Sequence, residues 1–192
     1  VPTGNFGNVY AGFLAKKMGL PINKLVIASN SNDVLTRFFE TGVMEKKIAV
    51  KTISPSMDIQ VSSNFERLLF DFMDNEGASI KESFEKLKKE NNFSINKKKL
   101  EKISNFFLAG RLSDKKTKET IKEIYDCSGV IVDPHTAVGI CVGRKLLKKG
   151  EKNVYLATAH YAKFIDTIKE SLEEDIKLSK KLDKIMEKKE YF

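Results

Sequence analysis

The stretch that decides the reading is residues 1–21, VPTGNFGNVYAGFLAKKMGLP. Thr3-Gly4-Asn5-Phe6-Gly7 runs straight into a helical pattern expected over 5–18, with Val9, Phe13 and Leu14 on one side and Gly19 and Pro21 as stops. A helix N-terminus presents unpaired amide N–H groups and a partial positive charge. Glycines beside it let the backbone come close to an anion. No GK[ST] follows, and the spacing is not GxGxxG. The turn therefore either holds a phosphate-sized anion or simply joins a strand to a helix.

Outward from it, KLVIAS (24–29) reads as a buried parallel strand. Asn30, Ser31 and Asn32 are good helix caps before NDVLTRFFETG, which ends at Gly42. Residues 46–52 alternate weakly, as a strand or an extended arm, and a longer helix is expected from Asp58 to about Asn75. Residues 78–91 and 97–107 read as exposed charged helices, and another helix starts near Asp114. SGVIVDPHTAVGICVGRKLLKKG contains a strand-like VIV, a proline-marked helix start and a stop at Gly150. NVYLATAH, carrying Val154, Tyr155 and Leu156, is the clearest second strand; IDTIKESLEED and the lysine-rich tail are helical. Alternating strands and helices predict an α/β fold with a parallel sheet. Residues 78–125 break that rhythm and are expected to be a helical surface insertion within one domain spanning 1–192.

Hydrophobic residues make up 41% of the 192 and charged residues 31%, which fits a globular chain rather than a disordered one. No apolar run reaches the ~20 residues of a membrane helix, and the first residues show no signal-peptide pattern. Cys127 and Cys141 have no CxxC partner and no histidine cluster nearby. They point to a reducing, cytoplasmic setting and to neither a disulfide framework nor a metal site. The net charge of +8 raises the question of nucleic acid, but the excess lies mainly in 78–125, with 13 basic and 7 acidic side chains. Only four of the 34 basic residues are arginine, the residue that phosphate and base readout favours. A lysine-rich, glutamate-laced helix such as IKESFEKLKKENN reads as a solvated face, and no nucleic-acid partner is expected.

Three further stretches concentrate polar groups. SPSMDIQVSSNFER places Ser54, Ser56, Asp58, Ser62, Ser63 and Asn64 around one turn and helix start. Capping accounts for one or two of them, and the rest either line a pocket or support it. VDPHTAVG puts Asp133, His135 and Thr136 at a strand-to-helix junction, as a cap or as part of a site. YLATAHYAKF puts Thr158 and His160 at the carboxyl end of an expected strand, where ligands of parallel α/β sheets gather.

In this order, VPTGNFGNVYAGFLAKKMGLP, LVIASNSNDVLTRFFETG, SPSMDIQVSSNFERLLF, DPHTAVG and ATAHYAKF resemble the later part of the threonine synthase family over residues 1 to about 171, most weakly in the charged segment. The resemblance implies a pyridoxal-phosphate enzyme of the tryptophan-synthase β-like fold type (fold type II). Such an enzyme converts the small-molecule substrate O-phospho-L-homoserine and water into L-threonine and phosphate. It implies that Gly4, Asn5, Phe6 and Gly7 cradle the phosphate of pyridoxal 5'-phosphate through their amides, with Asn8 in reach. It also implies that the hydroxyl of Thr158 meets the pyridine nitrogen. A neutral hydroxyl there, unlike a carboxylate, does not enforce a protonated ring. The family's TAHPAKF stands here as TAHYAKF, with Tyr161 in place of the proline.

The family's Schiff-base lysine and its Ser/Thr-Gly-Asn substrate stretch lie upstream of the GNFG loop, and neither motif occurs here. The chain is therefore expected to be a C-terminal part whose N-terminal part is missing, inactive as a synthase by itself and with no catalytic residue to assign. Alternatives are another fold-type II enzyme, such as a threonine dehydratase, or a non-catalytic phosphate-binding α/β module.

Overall fold

In the computed structural model, described for residues 1–148, 150–178, 180–186, 188 and 189, the elements follow in the order α1 (Gly7–Lys17), β1 (Leu25–Ser29), α2 (Val34–Thr41), β2 (Val43–Glu45), α3 (Phe65–Phe72), α4 (Gly77–Glu90), β3 (Asn92–Ser94), α5 (Lys97–Ser104), β4 (Phe107–Arg111), α6 (Asp114–Ser128), α7 (Pro134–Leu146), α8 (Ile165–Leu172) and α9 (Lys180–Met186). Single 3-10 turns occupy Pro55–Met57 and Tyr161–Phe164.

The apolar run of β1 is buried along its whole length, as a strand covered on both faces must be. It pairs in parallel with β4, Leu25 opposite Phe107 through Ser29 opposite Arg111. Along its other edge run residues 1–3: the Thr3 N–H donates to the Ala28 carbonyl at 2.9 Å, and the Ala28 N–H donates to the Val1 carbonyl at 3.0 Å.

The two faces of β1 serve different cores, with the period of two that strand geometry dictates. Leu25 and Ile27 enter a large aromatic core with Phe6, Phe13, Phe38, Phe65 and Phe107, drawn from α1, α2, α3 and β4. Val26 and Ala28 face Val138 and Val142 of α7. Helices α6 and α8 back α7 through Ile121, Ala137, Ile168 and Leu172. The close approach of α7 requires Gly110 in β4, where a Cβ would stand 2.8 Å from a Val142 methyl. β2 and β3 form a separate antiparallel ribbon.

The α/β layout with a parallel sheet is as expected, but its second strand is not. NVYLATAH has no ladder: residues 151–158 lack regular structure and Val154 is 86% exposed. The VIV stretch likewise has no ladder or regular structure, and Val130 is exposed. The partner of β1 is instead the run FLAGR, inside the segment read as a helical insertion. That segment does supply helices α4, α5 and most of α6, yet between α5 and α6 it enters the sheet.

Smaller expectations also shift. Leu14 is 39% exposed, not part of the buried face of α1. Asp33, not Asn30, Ser31 or Asn32, sits at the cap of α2. The helix expected from Asp58 is a 3-10 turn followed by α3, and α7 ends at Leu146, before Gly150. The helical tail holds over α9, and the chain's last three residues lie outside those described. No helix among the described residues is long and apolar enough to cross a membrane.

Candidate functional site

The loop after residue 3 leaves the sheet at its carboxyl end. Phe6 forms the cap of α1 with φ 67°, in the left-handed region that a bulky side chain enters only at a cost of about 1–3 kcal/mol. Its ring offsets that cost: Phe6 is 1% exposed, edge-on to Phe65 at 5.1 Å and near Phe107 at 6.1 Å. The buried ring turns the loop's backbone outward. The amide N–H groups of residues 4–8 find no acceptor among the described residues. The loop's carbonyls, by contrast, are taken: Gly4 accepts from the Ser62 hydroxyl at 2.8 Å and Asn5 from the Asn64 N–H at 3.0 Å.

This loop lines a cleft of about 270 Å³ together with Ser56, Met57, Asn64, His135 and Thr158. The structure thus brings the loop residues Gly4, Asn5, Phe6, Gly7 and Asn8 and the distant Thr158 to one place. Thr158 is exposed, and its hydroxyl has no partner among the described residues. Gly4 is dictated by packing, since a Cβ would stand 2.7 Å from the Ser56 carbonyl oxygen. Gly7 is not: a Cβ there would meet only the Asn64 amide, at 3.5 Å.

The polar residues of SPSMDIQVSSN divide. Ser56 and Asn64 face the cleft, and Ser62 and Ser63 bond the loop from behind. Ser54 and Asp58 turn the other way. Asp58 accepts from the Asn30 amide at 2.7 Å, the Asn32 amide at 3.0 Å, the Thr52 hydroxyl at 2.6 Å and the Thr52 N–H at 2.8 Å. That network ties the extended arm to the end of β1.

At the start of α7, Asp133 accepts from the His135 N–H at 2.9 Å and the Thr136 N–H at 3.4 Å, and from the Thr136 hydroxyl. Its Oδ1 also lies 3.0 Å from His135 Nδ1. Burial alone would raise the Asp133 pKa, but the hydrogen bonds from His135 and Thr136 outweigh it and hold the carboxyl below its usual value. His135 Nε2 accepts the Ser56 N–H at 3.2 Å, a role the sequence does not show. His160 lies away from these contacts, capping the 3-10 turn after it through the Ala162 N–H at 3.1 Å.

A parallel sheet whose carboxyl end carries a cleft, walled by a helix N-terminus whose amides find no acceptor among the described residues, is the arrangement in which α/β proteins hold phosphate-bearing ligands. Comparison with known proteins makes this particular. The family "Threonine synthase, C-terminal" matches residues 136–192. Threonine synthase of Saccharomyces cerevisiae is 44% identical over 191 residues, covering 90% of this chain and 37% of that protein. Threonine synthase of Pseudomonas aeruginosa is 41% identical over 172 residues, covering 89% and 37%. The crystal structure of PLP-bound threonine synthase from Brucella melitensis superposes with a TM-score of 0.94 at 43% identity, over all of this chain and 41% of that one. Sequence and fold together place the chain with the threonine synthases, and it spans about 37% of the length of these two curated relatives.

Proposed function

We infer that this chain supplies the phosphate-cradling and pyridine-facing side of a pyridoxal 5'-phosphate site in a threonine synthase. That enzyme turns O-phospho-L-homoserine and water into L-threonine and inorganic phosphate, a carbon–oxygen lyase reaction in the cytoplasm. The observation that carries the reading is the cleft itself, which joins the free amides of residues 4–8 to the free hydroxyl of Thr158. On this reading residues 1–192 are part of one cofactor-binding domain, and the activity belongs to a polypeptide that also carries the segment its relatives have beyond it. Threonine dehydratase and a non-catalytic phosphate binder are not favoured, because identity and superposition both run to threonine synthases.

The residues present fit the cofactor. The amides of Gly4, Asn5, Phe6, Gly7 and Asn8 would donate to the phosphate, aided by the positive end of α1. The missing side chain at Gly7 leaves the anion room to approach. Thr158 would donate its hydroxyl to the pyridine nitrogen and so leave that nitrogen without a proton of its own. When bound, pyridoxal phosphate supplies an electron sink for carbanions formed on the substrate.

Thr158→Val tests the reading in the complete polypeptide. Turnover of O-phosphohomoserine should fall by at least about tenfold, the order of one lost hydrogen bond, with a change in the absorbance of bound cofactor. Unchanged turnover and spectrum would overturn the role of Thr158. Turnover by residues 1–192 alone would overturn the inference that activity needs the remaining segment.

A further inference from the structure

Three parts of the chain that lie far apart in sequence wall the cleft: the loop 4–8, the turn Pro55–Met57 and the loop at Thr158. The first two touch directly, Ser56 against Gly4. The third is joined to them through the start of α7. There one carboxylate feeds two relays. In the first, Asp133 Oδ1 meets His135 Nδ1 at 3.0 Å, and His135 Nε2 accepts the Ser56 N–H at 3.2 Å. In the second, Asp133 Oδ2 accepts the Thr136 hydroxyl, and Thr136 Oγ1 accepts the Thr158 N–H at 3.4 Å.

The two ends of the His135 ring agree on one arrangement. An ionised carboxylate accepts only, so Nδ1 carries the proton. A backbone N–H donates only, so Nε2 is bare. The ring is neutral and Nδ1-protonated, 3% exposed, with the Phe164 ring 4.9 Å from it. The Thr136 hydroxyl is oriented in the same way, its hydrogen toward Asp133 and a lone pair toward Thr158. A helix cap alone would need none of this, since Asn caps a helix as well as Asp.

We propose that Asp133 is a positioning residue for the cleft, fixing the tautomer of His135 and the hydroxyl direction of Thr136 so that the Ser56 turn and the Thr158 loop are held at one separation. Only the identity of the ligand spanning that separation rests on the function proposed above.

The test compares Asp133→Asn, His135→Leu, His135→Gln and Thr136→Val in this chain. It reads the His135 tautomer by nitrogen NMR, amide hydrogen exchange at Ser56 and Thr158, and the affinity for pyridoxal 5'-phosphate. D133N keeps the cap, so α7 should persist while the tautomers mix and exchange at Ser56 and Thr158 rises together, each by up to about tenfold, the worth of one hydrogen bond. H135L should raise exchange at Ser56 alone, and T136V at Thr158 alone. The side-chain carbonyl of H135Q can accept the Ser56 N–H and should restore its protection. The proposal is overturned if D133N leaves the tautomer and both amides unchanged, or if exchange rises evenly along α7 as a simple cap defect would make it. If the wild-type chain shows this exchange pattern but ignores pyridoxal phosphate, the positioning role stands and the cofactor reading fails. If it binds the cofactor and the variants show no such pattern, the reverse holds.

Discussion

Two polar clusters flank the carboxyl end of the sheet, and they differ in what they do with their hydrogen bonds. Around Asn30, Asn32, Thr52 and Asp58 the capacity is spent inside the chain. Besides the Asp58 contacts, the Asn32 carbonyl oxygen accepts the Val50 N–H at 2.8 Å and the Gln60 amide at 3.2 Å, and the Asn32 amide donates to the Val50 carbonyl at 2.8 Å. In the cleft, the amides of residues 4–8 and the Thr158 hydroxyl are left unspent among the described residues. The first cluster comes from stretches dense in Ser, Asn and Asp (SNSND and KTISPSMD), whereas the open donors of the cleft are backbone amides of GNFGN and the hydroxyl of Thr158 in LATAH, a stretch with none of the three. Polar density therefore does not mark a binding site; unused donors held in place by a satisfied framework do. The comparison can be broken by any variant that lowers ligand affinity through the first cluster without unfolding it, or lowers stability through the second.

The largest effect is expected at Asp58. Asp58→Ala removes one acceptor from three partners, leaving the Thr52 N–H without its acceptor and weakening the Asn30 and Asn32 contacts. A cost of about 3 kcal/mol follows from the loss of charge-assisted bonds and the stranding of donors. Urea denaturation should show it as a lower midpoint at unchanged slope. Affinity for pyridoxal phosphate per folded molecule should hold. A loss below ~1 kcal/mol would show the network to be dispensable.

Asp133 lies between the two cases, since it stands behind the cleft wall, bonded to His135 and Thr136, and is itself fully bonded. Its carboxyl titrates below the usual value in the fold. The sign follows: a depressed carboxyl contributes stability that is present above the unfolded pKa of about 3.9 and is lost as pH falls through the folded value. Between pH 5 and strongly acidic solution, the wild-type chain should therefore lose more melting temperature than D133N. Parallel acid profiles by circular dichroism would instead show that its hydrogen bonds add nothing to the ionised form.

These distinctions mark how far the sequence carries. β1 was legible because a strand buried on both faces must be apolar throughout, and the turn at residues 4–8 because paired glycines before a helical pattern mark a tight approach to a helix, though not what that turn holds. β4 was not, because FLAGR is short, carries a glycine and sits among lysine-rich helices; Gly110 is there for the approach of α7, which only the tertiary structure shows. NVYLATAH misled for the opposite reason. Its apolar residues suit a strand, but Tyr155 packs on α7 at Gly143, where a Cβ would meet the ring at 2.6 Å, and Val154 faces solvent. The gathering of Ser56, Asn64, His135 and Thr158 around one cleft is a long-range fact. Cap chemistry at Asp133 was visible in DPHT, but the reach of His135 to Ser56 was not.

The two glycines of the loop give the sharpest form of the comparison, because they are alike in sequence and opposite in cause. Gly4 answers to the chain: an added methyl would press on the Ser56 carbonyl oxygen at 2.7 Å, backbone against backbone with no flexible end to yield. Gly4→Ala should cost about 1–3 kcal/mol as overpacking, and spoil the cleft with it. Gly7 answers to nothing in the chain, since its methyl would reach only the Asn64 amide at 3.5 Å and its position opens α1. Gly7→Ala should leave stability unchanged or raise it by up to about 1 kcal/mol, because alanine is the better helix former. Yet it places a methyl where the phosphate would approach, so pyridoxal phosphate affinity should fall at least about tenfold, the loss expected when an overpacked contact costs more than 1.4 kcal/mol. Calorimetric melting and cofactor titration on the same two proteins read both quantities. If Gly7→Ala keeps full affinity, the free amides of this loop are not a phosphate cradle, and the glycine is only the residue at which a helix begins.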